Sequence, residues 1–230
     1  MINWLHGILH DPRRGWDPIS AAYASAYGET LNADPRLIDR FGRVIGGYQG
    51  RRIVDLGSGP GQNATEFARR GAEVVCIDVS ATYLSMAAKR MHDAGFEARF
   101  LPGYMDHVAA LAGGDFDAAF SNVSWCYCMN DLTFARNILL ALKPGGIAFI
   151  QANIDTFEAA RSWRRRLIYW LNEKMCWKIG HPHPPRGRIA HSFRRLGTTI
   201  VESDYGDPVV DLVVVCKPTL PSAPGSSLRP

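Results

Sequence analysis

Apolar residues recur along this chain in two rhythms, one suited to strands and one to helices. Short runs rich in Val, Ile, Phe and Ala, closed by Gly, Pro, Asp or Asn, fall at 52–56, 72–78, 97–101, 115–123 and 147–153. They read as buried strands. Between them the apolar spacing changes to three and four. Residues 63–70 place Ala64, Phe67 and Ala68 on one helical face, and 80–94 do the same with Leu84, Ala87, Ala88 and Met91. A short helix over 107–112 and a longer one over 132–142 follow, the second stopped by Pro144-Gly145-Gly146. Strand alternating with helix predicts a parallel sheet with right-handed crossovers.

The ends of the chain add to this. Upstream, 35–48 carries Leu37, Ile38, Phe41, Val44 and Ile45 at helical spacing, closed by Gly46-Gly47. Asp17-Pro18 reads as the start of another helix, which sets Tyr23 and Tyr27 four residues apart on one face. Trp4, Leu5, Ile8 and Leu9 make a first packing helix that Asp11-Pro12 ends. Downstream, 197–204 and 209–217 are two strands joined by Tyr205-Gly206-Asp207-Pro208, so they must pair antiparallel. Residues 218–230 hold four prolines and three serines and read as a disordered tail.

The first strand runs into Asp55-Leu56-Gly57-Ser58-Gly59-Pro60-Gly61. Glycines at alternate positions let the chain turn with positive φ and let a ligand approach the backbone. A strand, a Gly turn and a helix start make a crevice at the strand's carboxyl end. Spacing narrows the ligand. A dinucleotide fingerprint would need its third Gly at position 62, which is Gln62, so a nicotinamide oxidoreductase is disfavoured. Asp55 is a poor neighbour for a diphosphate and a good one for an ammonium. Asp78 ends the second strand, where a carboxylate grips ribose hydroxyls. Ribose and ammonium without diphosphate describe S-adenosylmethionine.

Asp55 to Gly61 in the pattern D-x-G-x-G-x-G, Asp78, and Leu142-Lys143-Pro144-Gly145-Gly146 resemble the class I S-adenosylmethionine-dependent methyltransferases, in their small-molecule branch. By order of elements the resemblance runs over 16–217, and its sharp motifs lie within 54–146. It implies an α/β, Rossmann-like, doubly wound sheet of seven strands, mostly parallel, with an antiparallel C-terminal edge hairpin, its last strand at the edge, and helices on both faces. It also implies a methyltransferase domain over 1–217, with cap helices in 1–48 and a basic lid or insertion at 155–196.

The site expected from this resemblance is specific. Gly57, Ser58, Gly59, Gly61 and Asn63 form the turn and helix start under the methionyl group, and Asp55 attracts its ammonium. Asp78 and Val79 take the ribose side. Met105 packs on adenine and Asp106 accepts from its amine, or caps the next helix. Asn122 and Val123 stand near the transferred methyl. Tyr23, and less directly Tyr27, cover the cofactor from the N-terminal helix, where an aromatic face attracts the sulfonium. Residues 124–131 line the substrate side. Tyr23, Tyr127 and His191 are the candidates for a part in catalysis, which positioning alone can also supply.

Composition and charge refine the picture. Apolar residues make up 47% of the 230 and charged residues 21%, a globular balance. No apolar run reaches the ~18–20 residues of a membrane span, and the first residues lack the pattern of a secretory leader. Five cysteines read as reduced thiols of a cytoplasmic protein, with Cys126 and Cys128 buried and inert. Net charge is +4, yet ten Lys or Arg stand against one acid within 161–195, while the remainder holds 16 against 21.

That basic segment sets Trp163, Leu167, Trp170, Leu171 and Trp177 on one helical face, with Arg164, Arg165 and Arg166 on others. It suits a sheet-covering helix, a lid bringing Arg and His to an acidic acceptor, or a helix touching a membrane or nucleic acid. His181 and His183, separated by Pro182, lack a third ligand, and 122–125 offers no carboxylates for magnesium, so no metal is expected. His191 opens a short last helix.

The function expected is methyl transfer from S-adenosylmethionine to a small acidic or aromatic acceptor, on O or N, in biosynthesis or metabolism. A nucleic-acid or lipid-surface methyltransferase using 161–195 is the alternative. Against it, no RNA-binding module is appended and no Asn/Asp-Pro-Pro-aromatic motif follows the fourth strand. A catalytically silent cofactor-binding protein would carry the same glycines. The oligomeric state is open.

Overall fold

Ile53, Val54, Asp55 and Leu56 of strand β1 (Arg52–Leu56) are all buried. A strand with no polar alternation belongs inside a sheet covered on both sides, and β1 lies third in a seven-stranded sheet of order β3-β2-β1-β4-β5-β7-β6. This is a computed structural model, and it describes residues 21–154, 163, 164, 166, 167, 170 and 183–219. The expected helix over the first residues, the start at Asp17-Pro18, most of the basic segment and residues 220–230 lie outside the described residues.

The described chain begins with α1 (Ala21–Thr30) and α2 (Pro35–Val44). After β1 come α3 (Gln62–Arg69), β2 (Glu73–Asp78), α4 (Ala81–Asp93) and β3 (Arg99–Pro102). A 3-10 turn (Met105–His107) leads into α5 (Val108–Ala112) and β4 (Phe116–Asn122). A second 3-10 turn (Trp125–Tyr127) precedes α6 (Asp131–Ala141) and β5 (Leu142–Asn153). The last elements are α7 (Arg188–Arg194), β6 (Thr199–Asp204) and β7 (Val210–Cys216).

β1 pairs in parallel with β2 on one side and β4 on the other. The chain therefore reverses its direction of travel across the sheet between β1 and β4, which opens a crevice at their carboxyl ends. Side chains alternate between two cores. Val54, Leu56, Val75 and Ile77 join Trp125, Phe134, Ile138 and Phe193 on one face. Ile53, Val74, Phe120, Phe149 and Val214 join Phe41 and Phe67 on the other.

Several boundaries differ from the sequence expectation, each for a local reason. The last strand, β7, is not at the edge. It pairs antiparallel with β5 and with β6, and β6 is the edge strand. Burial decides this. Leu212, Val213, Val214 and Val215 are buried in succession, whereas β6 alternates exposed and half-buried positions. β7 is fit for the interior and β6 for the edge. α2 stops at Val44, four residues short of the expected end, because Gly46 and Gly47 take positive φ and turn the chain. Tyr48 then folds back and donates its hydroxyl to the Ile38 carbonyl at 2.6 Å. β5 starts early, since Leu142 pairs with Phe116 before the chain bulges and Ile147 pairs with Ala118. α7 starts at Arg188, behind a left-handed Gly187, and not at His191.

Of the basic segment, Trp163, Arg164, Arg166, Leu167 and Trp170 are helical. Trp163, Leu167 and Trp170 are 70%, 47% and 51% exposed, so these three do not pack on the sheet as a covering helix would.

Phe41 centres the second core. Its fully buried ring lies 5.7 Å from Tyr48, 5.2 Å from Phe67, 4.9 Å from Phe120 and 5.2 Å from Phe149. Phe41→Ala should lower the unfolding free energy by about 3–5 kcal/mol, read by urea denaturation. A loss below about 1 kcal/mol would show that this cluster does not anchor α2 to the sheet.

Candidate active site

The chain leaves β1 through Gly57, whose φ is +68°. A Cβ there would stand 2.5 Å from the Ser124 Cβ. Ser124 closes in because its hydroxyl donates to the Leu56 carbonyl at 2.8 Å and bonds the Ser121 hydroxyl at 2.7 Å. The ends of β1 and β4 are thus stitched together over a position that admits only hydrogen. Gly61, left-handed before α3, would put a Cβ 2.8 Å from that of Ala87 on α4. It is needed for helix packing. Gly59 differs from both. Among the described residues, a Cβ there would meet nothing within 4 Å, and the turn faces open space.

Asp78 sits beside that space. Its carboxylate accepts the Gly59 amide at 2.9 Å and the Ser80 amide at 2.8 Å. It ties the glycine turn to the end of β2. Ser80 caps α4 in turn, accepting from the Tyr83 amide at 3.2 Å. Burial pushes the Asp78 carboxyl above the usual carboxylate range, against the opposing pull of the Ser80, Gly59 and Val79 amides.

Above the strand ends lies a cavity of about 400 Å³. Gly57, Ser58, Gly59, Asn63, Asp78, Val79, Met105, Asp106, Asn122, Val123 and Tyr127 line it, as the sequence reading expected of a single site. Four expected residues do not line it. Asp55 lies beneath, 1% exposed, opposite Cys76 and Phe120 in the flanking strands. Its Oδ2 is buried with no hydrogen-bond partner. Burial, and next the charge of Asp78, push the Asp55 carboxyl up to about 8. Gly61 is turned to α4, as above. Tyr23 is 56% exposed and stacks on Tyr27, ring centroids 6.1 Å apart, while Tyr27 itself reaches the cavity. His191 lies in the last turn of α7, exposed and away from the cavity, because that helix begins three residues before it.

Two expected roles change. The Asp106 carboxylate caps neither the turn it belongs to nor α5. It accepts the Met129 amide at 2.9 and 3.1 Å and the Asn130 amide at 3.4 Å, pinning the loop before α6. Within 124–131, only Ser124 and Tyr127 line the cavity. Trp125 turns into the core, where its indole N–H donates to buried Asp131 at 2.7 Å. Cys126 and Cys128 are buried.

Val123 carries a φ of +60°, an outlier for a β-branched residue, at the point where β4 meets the cavity. Its amide donates to the Gln151 carbonyl at 2.8 Å, which holds it there. Such strain concentrates at functional sites. The sequence reading missed Tyr83, Tyr104, Asn153 and His183, all of which line the cavity. Position after a strand end could have found Tyr104 and Asn153; Tyr83 and His183 required the packing of α4 and of the chain before α7. Among the described residues, no three His, Cys, Asp or Glu side chains cluster as metal ligands, and no helix is long and apolar enough to cross a membrane.

Residues 54–150 match the family described as "Methyltransferase domain". A ubiquinone biosynthesis O-methyltransferase of Alkalilimnicola ehrlichii is 40% identical over 136 residues, 58% of this chain and 52% of that protein. A trans-aconitate 2-methyltransferase of Afipia carboxidovorans is 32% identical over 111 residues, 46% of this chain and 41% of its own length. The chain spans about half the length of the curated relatives it matches. Among solved structures, a SAM-dependent methyltransferase from Thiobacillus denitrificans, in complex with S-adenosyl-L-homocysteine, superposes with a TM-score of 0.59. It shares 18% identity over 87% of this chain and 98% of that one, a likeness of fold. Over residues 54–150 the chain is thus similar to a methyltransferase family, and its seven-stranded fold is like that of a solved SAM-dependent methyltransferase.

Proposed function

We propose that this chain transfers a methyl group from S-adenosylmethionine to a small-molecule acceptor. One observation carries the proposal. The glycine turn at Gly59 faces empty space beside the Asp78 carboxylate, at the strand ends where the sheet order reverses. The names of the relatives, both methyltransferases of small molecules, support it.

The residues present fit the cofactor. Asp78 spends one lone pair of each oxygen on an amide and keeps others for ribose hydroxyls. The missing Cβ at Gly59 leaves room for the ligand against the backbone. Below it, the unpartnered oxygen of Asp55 gives the floor a negative charge when ionised, which suits a ligand bearing an ammonium and a sulfonium. Met105 offers an apolar face for adenine, and the rings of Tyr27, Tyr83, Tyr104 and Tyr127 surround a volume suited to a cation. When bound, S-adenosylmethionine supplies a methyl group activated by its sulfonium. The chain's own contribution is to hold the two reactants in line and to exclude water. Asn122, whose Oδ1 is fixed by the Gln151 amide at 3.1 Å, and strained Val123 line the cavity at the end of β4.

Isothermal titration of S-adenosylmethionine and S-adenosylhomocysteine tests this reading. The wild type should bind both, and Asp78→Ala should weaken binding by about tenfold or more, the worth of hydrogen bonds to a charged group. Wild-type affinity should fall as pH is lowered, since protonated Asp78 accepts fewer hydrogen bonds. The fall should begin above the ordinary carboxylate range, because the Asp78 carboxyl is raised. A folded wild type that binds neither compound would overturn the proposal.

Asp55 gives a second prediction, on stability. Its carboxyl is raised from 3.8 to about 8 in the folded chain. Between those values the folded state binds more protons than the unfolded one, so the wild type loses stability as pH rises through that window. Asp55→Asn removes the titration. Its melting temperature, relative to wild type, should therefore climb from pH 4 toward pH 8. Parallel melting curves across that range would show that Asp55 is ionised throughout.

A further inference from the structure

One cavity is lined both by Gly57, Gly59, Asp78 and Met105, assigned above to the cofactor, and by Val123, Tyr127, Asn153 and His183. Val123 follows β4, Asn153 ends β5, and His183 belongs to the chain before α7.

That chain is fixed, so the imidazole is delivered to one place. Pro184 and Pro185 limit the backbone beside it, and Pro184 is buried. The Arg186 guanidinium donates to the Tyr205 and Asp207 carbonyls in the β6–β7 turn and lies 5.8 Å from the Tyr205 ring. The Gly187 amide donates to the Asp211 carboxylate at 2.6 Å, and Asp211 is wholly buried in β7. These contacts hold Arg186 and Gly187, three and four residues after His183.

The rest of the wall limits what His183 can do. Among the described residues, no Lys or Arg lines the cavity. The other ionisable groups facing it are Asp78, Asp106, Tyr27, Tyr83, Tyr104 and Tyr127. The two carboxylates hold backbone amides. Phenols are ordinarily neutral at pH 7, and burial pushes the Tyr83 phenol up to about 12. Imidazole is the side chain whose ordinary titration falls near neutral pH.

From this arrangement we propose that His183 is the catalytic base for a hydroxy-aromatic acceptor occupying this cavity beside Val123, Tyr127 and Asn153. The inference rests on the methyl-transfer reading and adds to it a substrate class and a residue. The balance is simple. The acceptor hydroxyl gives its proton to the His183 imidazole, and its oxygen forms the new bond to the methyl carbon. The carbon–sulfur bond breaks with its electron pair left on sulfur, which becomes a neutral thioether. The imidazolium then returns the proton to solvent. Aromatic walls suit an aromatic acceptor, and a base is required because a phenol is protonated at neutral pH.

The experiment compares wild type, His183→Gln and His183→Ala. S-adenosylhomocysteine binding by calorimetry comes first, and should be unchanged in both variants; its absence in the wild type would instead sink the methyl-transfer reading. Labelled-methyl transfer is then measured with a panel of phenols and catechols and a panel of carboxylic acids. The wild type should methylate hydroxy-aromatics. His183→Gln should lower kcat for them by about a hundredfold or more, with little change in KM, and should lose the acid limb of the pH profile. A probe independent of turnover is para-nitrophenol, whose ionised form absorbs at longer wavelength. Bound to the wild type it should show more of the ionised band than free probe at the same pH, and bound to His183→Gln it should not. Three results would overturn the proposal: variants that keep wild-type kcat and its pH limb, variants that lose S-adenosylhomocysteine binding, or a wild type that methylates only carboxylic acids or no hydroxy-aromatic.

Discussion

One carboxylate organises the site. Asp78 ends β2 and receives two backbone amides, from Gly59 of the turn after β1 and from Ser80 at the head of α4. They add to the Gly57 and Ser58 amides, which donate to the Ile77 carbonyl of β2 at 2.9 and 3.1 Å, in tying the turn to the neighbouring strand. The bonds to Asp78 are charge-assisted and partly shielded from water, so each is stronger than a neutral pair. What they hold open is as important as what they join. Gly59 is kept facing a space that no side chain of the described residues fills, while Gly57 and Gly61 on either side are packed to the point where a methyl group would collide with Ser124 or Ala87. The same three-glycine motif thus does two jobs, packing at its ends and clearance at its middle.

The electrostatic cost of this arrangement is concentrated in one place. Asp55 and Asp78 stand near enough for the charge of one to raise the other's proton affinity, and both lie in low-dielectric surroundings. Asp55 has an oxygen with no partner at all. Two acids so placed disfavour each other's ionised form, which a cationic ligand above them would offset. Perturbed carboxyls in a cleft mark functional sites for this reason. Val123, strained at +60° where β4 reaches the same cleft, is a second local cost at the same point.

How much of this was legible follows from which forces set each feature. The strands, the glycine turn and Asp78 could be read because local pattern and spacing determine them. The place of β7 was a tertiary matter: a hairpin says that two strands pair, and only burial on both faces of Val213, Val214 and Val215 says which of them lies inside. Asp106 was legible as a site-side acid, yet its actual partners, the Met129 and Asn130 amides, are more than twenty residues away in sequence. Tyr27 and Tyr23 share a helical face, and helix phase alone does not tell which one meets the cavity. In the sequence His191 is a candidate for the substrate side, and His183 is only half of a weak metal pair. The left-handed Gly187 starts α7 earlier and leaves His191 facing out.

The same Gly187 shows why His183 is placed as it is. Asp211 is an acid inside a strand otherwise made of Val, Leu and Cys, a costly residue at a wholly buried position. Burial raises its carboxyl, and the Gly187 amide and Arg186 charge pull the other way. An apolar residue at 211 would serve the sheet better and would leave the returning chain without its anchor. With the acid present, the chain from His183 to Gly187 is fixed in register against β7 and against the β6–β7 turn. The antiparallel hairpin, which lies on the far side of β5 from the glycine turn, therefore reaches the active site through this one connection. The parallel half of the sheet carries the glycine turn and Asp78, and the antiparallel half anchors the chain that brings His183 to the same cavity.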